Sequence, residues 1–153
     1  MRAEPHKRPI LIVEDNPDEA ELAILAMREN GIDLPCHIVS DGQAAIDYVL
    51  SLGKEEPSKP HSIPFIILLD LKLPRRNGID VLKTLRSCKE TKYIPVVVLT
   101  TSSLEEDMKR SYEAGANSYI NKPVDFRAFC SQIELIFKYW TEVNRQPAPQ
   151  PAS

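Results

Sequence analysis

The chain has 153 residues, of which 42% are hydrophobic and 27% charged, and its formal net charge is −3 at pH 7. This size suits one domain that folds without disulfides or a structural metal. The acidic balance argues against nucleic-acid binding, which needs a basic surface. No apolar run approaches the roughly 18 residues that span a bilayer. The three cysteines form no CxxC motif, so we expect reduced thiols in a cytoplasmic protein without membrane attachment.

Five apolar segments bounded by turn residues predict buried parallel strands, which are covered by helices on both faces. The first segment is about Pro9–Val13 and the second is Cys36–Val39. The third ends at Asp70, the fourth near Thr100 and the fifth at Lys122-Pro123.

Five amphipathic patterns alternate with these strands and predict helices. Asn16 caps the first helix, Pro17 occupies its first position, and Asn30-Gly31 ends it. Turn and cap residues mark the other helices: Asp41-Gly42 opens the second, Asn77-Gly78 the third, Ser103 caps the fourth before Gly115, and Asp125 caps the fifth. The alternation predicts an α/β domain with a doubly wound, five-stranded parallel sheet and five helices. Periodicity leaves the strand order open.

The domain boundaries follow from composition. We expect an N-terminal extension over residues 1–8, one domain over residues 9–143 and a disordered tail over residues 144–153, which is rich in Pro, Ala and Gln. Gly53–Pro64 contains three prolines and no periodicity, so we interpret it as an exposed loop. Aromatic residues recur at helical spacing between Phe126 and Trp140, and we interpret this stripe as core rather than a cofactor site.

The strands end in residues suited to phosphoryl chemistry. Glu14-Asp15 follows the first strand and Asp70 the third, while Thr100-Thr101 ends the fourth and Lys122 the fifth. Each has an ordinary structural explanation by itself, such as a helix charge, a turn acid or a surface lysine. Ligands of such sheets bind at the carboxyl ends of the strands, so these groups should converge. Crowded carboxylates need counter-ions, and Mg²⁺ with its oxygen ligands suits them.

The motifs and their order resemble the receiver domain of two-component response regulators, a flavodoxin-like (CheY-like) fold. The resemblance runs from about Pro9 to Trp140. It is carried by four motifs, which are Ile12-Val13-Glu14-Asp15-Asn16, Leu69-Asp70-Leu71-Lys72-Leu73-Pro74 with Asn77-Gly78, Val98-Leu99-Thr100-Thr101, and Ala114-Gly115-Ala116 through Tyr119 to Lys122-Pro123.

The resemblance implies that Asp70 is the phosphoacceptor, whose carboxylate attacks the phosphohistidine of a sensor kinase. It implies that Asp15 and Asp70 bind Mg²⁺ together with the backbone carbonyl of Lys72, and that Glu14 acts through a water. Lys122 would pair with Asp70 at rest and with the phosphoryl oxygens afterwards. The protein would thus be a signalling phosphoacceptor rather than an enzyme.

The resemblance also implies a switch. Thr100 would donate a hydrogen bond to a phosphoryl oxygen, helped by Lys122 and the backbone N–H of Thr101, and Tyr119 would turn inward in response. The output surface would comprise the fourth helix, fifth strand and fifth helix. Pro123 resembles a cis-linked proline of the family. Thr101 stands where a smaller alanine is often found, which leaves the phosphate lifetime open.

Only a short segment follows Trp140, so we expect a stand-alone receiver without a DNA-binding module. The long loop before the third strand, the run Val97–Ser102 and the ending Phe137–Glu142 resemble cyanobacterial phytochrome response regulators. That resemblance implies a light-regulated histidine kinase as phosphodonor and a homodimer through the output face.

Three alternatives share parts of this pattern. A flavodoxin needs a Ser/Thr/Gly-rich phosphate loop after the first strand, where this chain has Glu14-Asp15. A haloacid-dehalogenase-type phosphatase needs a second acid two residues after its nucleophile, and Lys72 stands there. A receiver that is never phosphorylated and serves as a protein-interaction scaffold remains the main alternative.

Overall fold

The computed structural model describes residues 8–52 and 63–147, which contain five strands alternating with five helices. The strands are β1 (Ile10–Val13), β2 (Cys36–Val39), β3 (Ile66–Leu69), β4 (Val96–Thr100) and β5 (Ser118–Asn121). The helices are α1 (Pro17–Glu29), α2 (Gly42–Leu52), α3 (Gly78–Ser87), α4 (Glu105–Ala114) and α5 (Phe126–Lys138), which continues into a π-helical turn at Tyr139–Val143. The predicted α/β class is confirmed.

The sheet is parallel throughout, with the strand order β2-β1-β3-β4-β5. The chain passes from β1 outward to β2 and then returns to β3 on the other side of β1. The direction of winding therefore reverses between β1 and β3, where Val13 pairs in register with Leu69. Such a reversal opens a crevice at the carboxyl ends of the strands, which is where doubly wound sheets bind ligands.

Two apolar layers cover the sheet. Leu11 of β1 packs with Val49 of α2 and Leu82 of α3, whereas its neighbour Ile10 packs with Ile133 of α5 on the opposite face. Successive strand residues point to opposite faces, so a strand covered on both sides must be apolar at every position. This explains the uninterrupted apolar runs of β1, β3 and β4.

The predicted helix caps are confirmed at α1 and α5. The Oδ1 atom of Asn16 accepts from the backbone N–H of Asp18 at 2.9 Å, and the carboxylate of Asp125 accepts from that of Ala128 at 2.9 Å. The aromatic stripe of α5 is core, as predicted. Its buried members are Phe129, Ile133 and Phe137, and its partly buried members include Phe126, Cys130 and Trp140.

The cap predicted for the fourth helix is wrong. Leu104, not Ser103, occupies the capping position of α4, and no side chain of that residue caps the helix. The buried Ser102 hydroxyl takes over part of that role, since it accepts from the backbone N–H of Leu104 at 3.3 Å and donates to Asp107 at 2.6 Å. Ser103 is left exposed.

Residues on both sides of the predicted domain boundaries make contacts with the domain. Arg8 was assigned to the N-terminal extension, yet it is buried and donates to the carbonyls of Ile63 and Pro64 at 3.0 and 2.6 Å. Those two residues are buried rather than exposed. Gln146 of the predicted tail donates from its side chain to the carbonyl of Phe65 at 3.2 Å. Residues 1–7, 53–62 and 148–153 of these predicted segments lie outside the described residues.

None of the helices in the described ranges combines the length and apolar content that crossing a membrane requires.

Candidate functional site

Three carboxylates meet where β1 and β3 end. Glu14 and Asp15 directly follow β1, and Asp70 directly follows β3. The backbone N–H of Asp70 donates to the carbonyl of Val13 at 3.0 Å, which fixes Asp70 beside the end of β1. One carboxylate oxygen from each acid lies within 4.8 Å of the others. The structure thus brings together the acids that the sequence singled out, and such an all-oxygen cluster suits a hard divalent cation.

Lys122 reaches this cluster from the end of β5. Its backbone N–H donates to the carbonyl of Thr100 at 2.9 Å, and its Nζ atom lies 2.5 Å from Glu14 Oε1 and 3.5 Å from Glu19 Oε1. Glu14 is the direct partner of Lys122 in the structure, and Asp70 attracts the same ammonium through its charge. Glu14 is also held by the backbone N–H of Asn16 at 3.2 Å, which keeps its carboxylate in place to receive the ammonium.

The site is charged and partly shielded from solvent, since Glu14 is buried and Asp70 and Lys122 are half-buried, whereas Asp15 is exposed. Burial raises the pKa of Asp70, and the nearby charge of Asp15 raises it further, against the opposing charge of Lys122. Burial also raises the pKa of Glu14, against the hydrogen bond and charge of Lys122. Burial by itself lowers the pKa of Lys122, but Glu14, Asp70 and Glu19 outweigh it and the pKa is raised. One ammonium leaves this carboxylate cluster incompletely neutralised.

The start of α3 supports the segment that follows Asp70. The backbone N–H groups of Leu71 and Lys72 donate to the Asp70 carboxylate. Gly78 donates from its N–H to the carbonyl of Leu71 at 2.9 Å, and a Cβ atom on Gly78 would lie 2.6 Å from the carbonyl oxygen of Asp70. Only glycine allows this approach without movement of the backbone. Lys72 is thereby held at the site, and the role of its carbonyl as a metal ligand stays a prediction.

A neutral hydrogen-bonded group lies where β4 and β5 end. Thr100 is fully buried, and its Oγ1 atom accepts from the backbone N–H of Ser102 at 3.2 Å. The hydroxyl of the half-buried Tyr119 donates to the carbonyl of Ser102 at 3.3 Å, and the Asn121 side chain donates to the same carbonyl. Thr101 is exposed. The predicted switch residues Thr100 and Tyr119 are thus joined through one residue, Ser102.

The Lys122–Pro123 peptide bond is trans, so the cis bond that the family resemblance implied is not found. For a bond that precedes proline the trans form is favoured by only about 0.5–1 kcal/mol, so local packing decides the isomer.

Sequence reasoning missed Glu19, Ser102 and Asn121. Glu19 lies in the first turn of α1, where an acidic residue is favourable in any helix, and its only further signal is its position three residues after the cap Asn16. Ser102 and Asn121 follow or end strands, as the identified residues do, but their partners depend on the pairing of β4 with β5.

The fold and this site define a class of protein, a doubly wound domain with an acidic, lysine-paired site at the strand reversal. Residues 10–134 match the response regulator receiver domain family, and the chain belongs to that family.

Similar proteins were found by sequence and by structure. The chain is 38% identical over 140 residues to the probable methanogenesis regulatory protein FilR2 of Methanothrix harundinacea, covering 92% of this chain and 88% of that protein. It is 36% identical over 139 residues to response regulator Rcp1 of Synechocystis, covering 91% and 92%. The Mn²⁺-bound structure of Rcp1 superposes with a TM-score of 0.78, at 33% identity, over 92% of this chain and 99% of that one. The phosphorylated cyanobacterial phytochrome response regulator RcpA gives 0.81, also at 33% identity and over 92% and 99%.

Proposed function

We propose that this protein accepts a phosphoryl group on Asp70 from a sensor histidine kinase in a Mg²⁺-dependent reaction, and signals by a conformational switch. The observation that carries the proposal is the acid cluster of Glu14, Asp15 and Asp70, with oxygen atoms within 4.8 Å of one another and Lys122 bound beside them. This set supplies an acceptor carboxylate, ligands for a divalent cation and a fixed ammonium.

The donor set fits Mg²⁺. Asp15 and Asp70 would bind it directly, together with the carbonyl of Lys72, and Glu14 would act through a water because Lys122 already occupies its carboxylate. When bound, the ion would neutralise charge on the transferring phosphoryl oxygens. The Mn²⁺-bound structure of Rcp1 supports a divalent ion in a similar protein.

Asp70 would act as the nucleophile. A carboxylate oxygen attacks the phosphorus of phosphohistidine, a P–O bond forms, and the P–N bond to the kinase histidine breaks with its electrons leaving on the imidazole. Lys122 would contact a phosphoryl oxygen, Thr100 would donate a hydrogen bond to another, and the backbone N–H of Thr101 would assist. The protein supplies positioning and charge, which is the main requirement of phosphoryl transfer.

The switch would pass through Ser102. The Oγ1 atom of Thr100 accepts from the backbone N–H of Ser102, so a shift of that hydroxyl toward a phosphoryl oxygen would disturb the Ser102 backbone. Because Tyr119 and Asn121 both hold the carbonyl of Ser102, movement there changes the support of Tyr119 and of α4. The output surface would be α4, β5 and α5, which carries exposed apolar side chains including Tyr112 and Leu135, and exposed Tyr139 directly follows α5. A second copy of the chain is the partner we propose for this surface.

The upstream kinase would be a phytochrome in the cytoplasm. The similarity to Rcp1 and RcpA supports this choice. The comparable similarity to FilR2, which is described as a methanogenesis regulator, is the observation that favours a receiver driven by a different sensor kinase. The net charge of −3 supports a protein partner rather than nucleic acid.

The test is phosphorylation by acetyl phosphate with and without Mg²⁺, read by intact mass. We expect a Mg²⁺-dependent gain of one phosphoryl group, lost in Asp70→Asn and kept in Asp80→Asn, which alters a partly exposed acid of α3. Sizing of both forms then tests dimerisation. No gain with acetyl phosphate or a phosphorylated kinase would favour the scaffold alternative, and robust labelling of Asp70→Asn would refute the assignment. Labelling by a non-phytochrome kinase in preference to a phytochrome would overturn the light-regulated input.

A further inference from the structure

Glu19 stands apart from the predicted site because it lies on α1, not at the end of a strand. It is the third residue of that helix, and Asn16 holds this turn by accepting from the backbone N–H groups of Asp18 and Glu19 at 2.9 and 3.3 Å. The turn directs the Glu19 carboxylate to the ammonium of Lys122, 3.5 Å away.

Lys122 is thus shared between two carboxylates at rest. Its side chain is 11% exposed, and it contacts Glu14 at 2.5 Å and Glu19 at 3.5 Å. Glu14, Glu19, Asp70 and Lys122 also line one small cavity, whose volume is about 20 Å³. A phosphoryl group on Asp70 would enter a space in which Glu19 already attracts the ammonium.

We propose that Glu19 is a positioning residue that holds Lys122 on the α1 side of the site, in competition with a phosphoryl group on Asp70. The proposal rests on the function proposed above and deepens it. Glu14 would bind a water ligand of the metal ion. Glu19 lies outside the three-acid cluster, so it can keep its ion pair with Lys122 when the cation binds. Glu19 therefore sets how readily Lys122 transfers to the phosphoryl oxygens.

The strength of this competition is limited by exposure. The Glu19 side chain is 40% exposed, so water screens its attraction for Lys122. Ion pairs of this kind contribute little, and loss of Glu19 should change the affinity for a phosphoryl mimic by about two- to fivefold rather than by orders of magnitude. Glu19 therefore adjusts the affinity of the site for a phosphoryl group, whereas the site itself is formed by the other residues.

The first experiment measures binding of beryllofluoride, which occupies an acceptor carboxylate as a phosphoryl mimic, in the presence of Mg²⁺. The variant Glu19→Gln removes the charge and keeps the shape, and Asp18→Asn removes the same charge from the neighbouring position of α1. We expect Glu19→Gln to bind the mimic about two- to fivefold more tightly than the wild type, and Asp18→Asn to stay close to wild type. Equal tightening in both variants would show a general charge effect and would overturn the proposal, as would no change in Glu19→Gln.

The second experiment does not depend on phosphorylation. Thermal unfolding in Mg²⁺-free buffer is compared for Glu19→Gln, Lys122→Gln and the double variant. We expect Glu19→Gln to lower the midpoint by about 1–3 °C more in the wild-type background than in Lys122→Gln. Additive effects would mean that Glu19 does not hold Lys122, and the proposal would be wrong. A wild type that gains no phosphoryl group while this coupling is found would instead refute the proposed function and the competition, and leave Glu19 a structural partner of Lys122.

Discussion

The two halves of the site differ in charge: the half at the ends of β1 and β3 is acidic, and the half at the ends of β4 and β5 is neutral. At the ends of β1 and β3, Glu14, Asp15 and Asp70 lie close together, and a single ammonium pairs with Glu14. At the ends of β4 and β5, the neutral side chains of Thr100 and Tyr119 both form hydrogen bonds with the backbone of Ser102. The first half is short of positive charge and so is built to take up a cation. The second half is complete without a ligand and is held by single hydrogen bonds, so a modest free energy can rearrange it.

Removing the ammonium should break the charged half most severely. Lys122→Ala leaves the nearly buried Glu14 without its partner, and we expect a loss of about 3 kcal/mol in the free energy of unfolding in Mg²⁺-free buffer. Acetyl phosphate should still label the variant partially, but phosphorylation should no longer change its elution on sizing. Denaturant unfolding and intact mass check both parts. Lys109→Ala, at an exposed position of α4, is the control, and equal behaviour of the two variants would contradict the prediction.

Gly78→Ala should damage the charged half through its backbone. The added Cβ would lie 2.6 Å from the carbonyl oxygen of Asp70 and 2.7 Å from the Cα of Leu71, so the segment after Asp70 must move. We expect a loss of about 1–3 kcal/mol in stability and a weaker affinity for Mg²⁺. Gly31→Ala is the matched variant, because Gly31 has a φ of +72° but no atom within 4 Å of its added Cβ. That variant should lose stability without losing metal affinity.

The pH dependence should separate the two halves without a mutation. The pKa of Asp70 and of Glu14 is raised in the folded protein, mainly by burial, so the folded state binds these protons more tightly than the unfolded state. Their contribution to stability is fully present below about pH 4 and is lost as pH rises through the raised values. We expect the thermal midpoint in Mg²⁺-free buffer to fall as the pH rises through this range, and to fall by less in Asp70→Asn.

Added Mg²⁺ should act in the opposite direction, because it binds the deprotonated carboxylates. The midpoint gained on addition of Mg²⁺ should therefore increase with pH over the same range. A gain that is independent of pH would mean that these acids do not bind the ion.

The smallest effect is expected in the neutral half. Tyr119→Phe removes the hydroxyl that donates to the Ser102 carbonyl at 3.3 Å and keeps the ring, so stability should fall by about 0.5–1 kcal/mol. Labelling of Asp70 should be unchanged, whereas the elution change on phosphorylation should diminish. Tyr112→Phe, at an exposed tyrosine of α4, is the control for both measurements. An unchanged elution response in Tyr119→Phe would remove Tyr119 from the switch.

The sequence was informative wherever a local pattern decides the structure. Caps such as Asn16 and Asp125 act on neighbouring backbone, and apolar runs that end in Glu14-Asp15 or Asp70 report burial on both faces of a sheet. The convergence of the acids then follows from parallel strands ending at one edge.

The partners within the site could not be predicted in the same way. Lys122 lies within reach of several acids, and its choice of Glu14 and Glu19 depends on the strand order and on the first turn of α1. The role of Ser102 depends on two side chains from β5 that meet its carbonyl. These are differences of a few ångströms between elements far apart in the chain, and no periodicity encodes them.

The pairing of β1 with β3 has a consequence for the synthesis and folding of the chain. Asp15 and Asp70 become neighbours only when these two central strands have joined, and β2 with two helices is synthesised between them. A nascent or partly unfolded molecule therefore has no assembled site and, under the proposed function, cannot be labelled. The cation would bind finished molecules alone and would raise their population by mass action. A phosphoryl group on Asp70 would then be found only on fully folded molecules, in addition to carrying a signal.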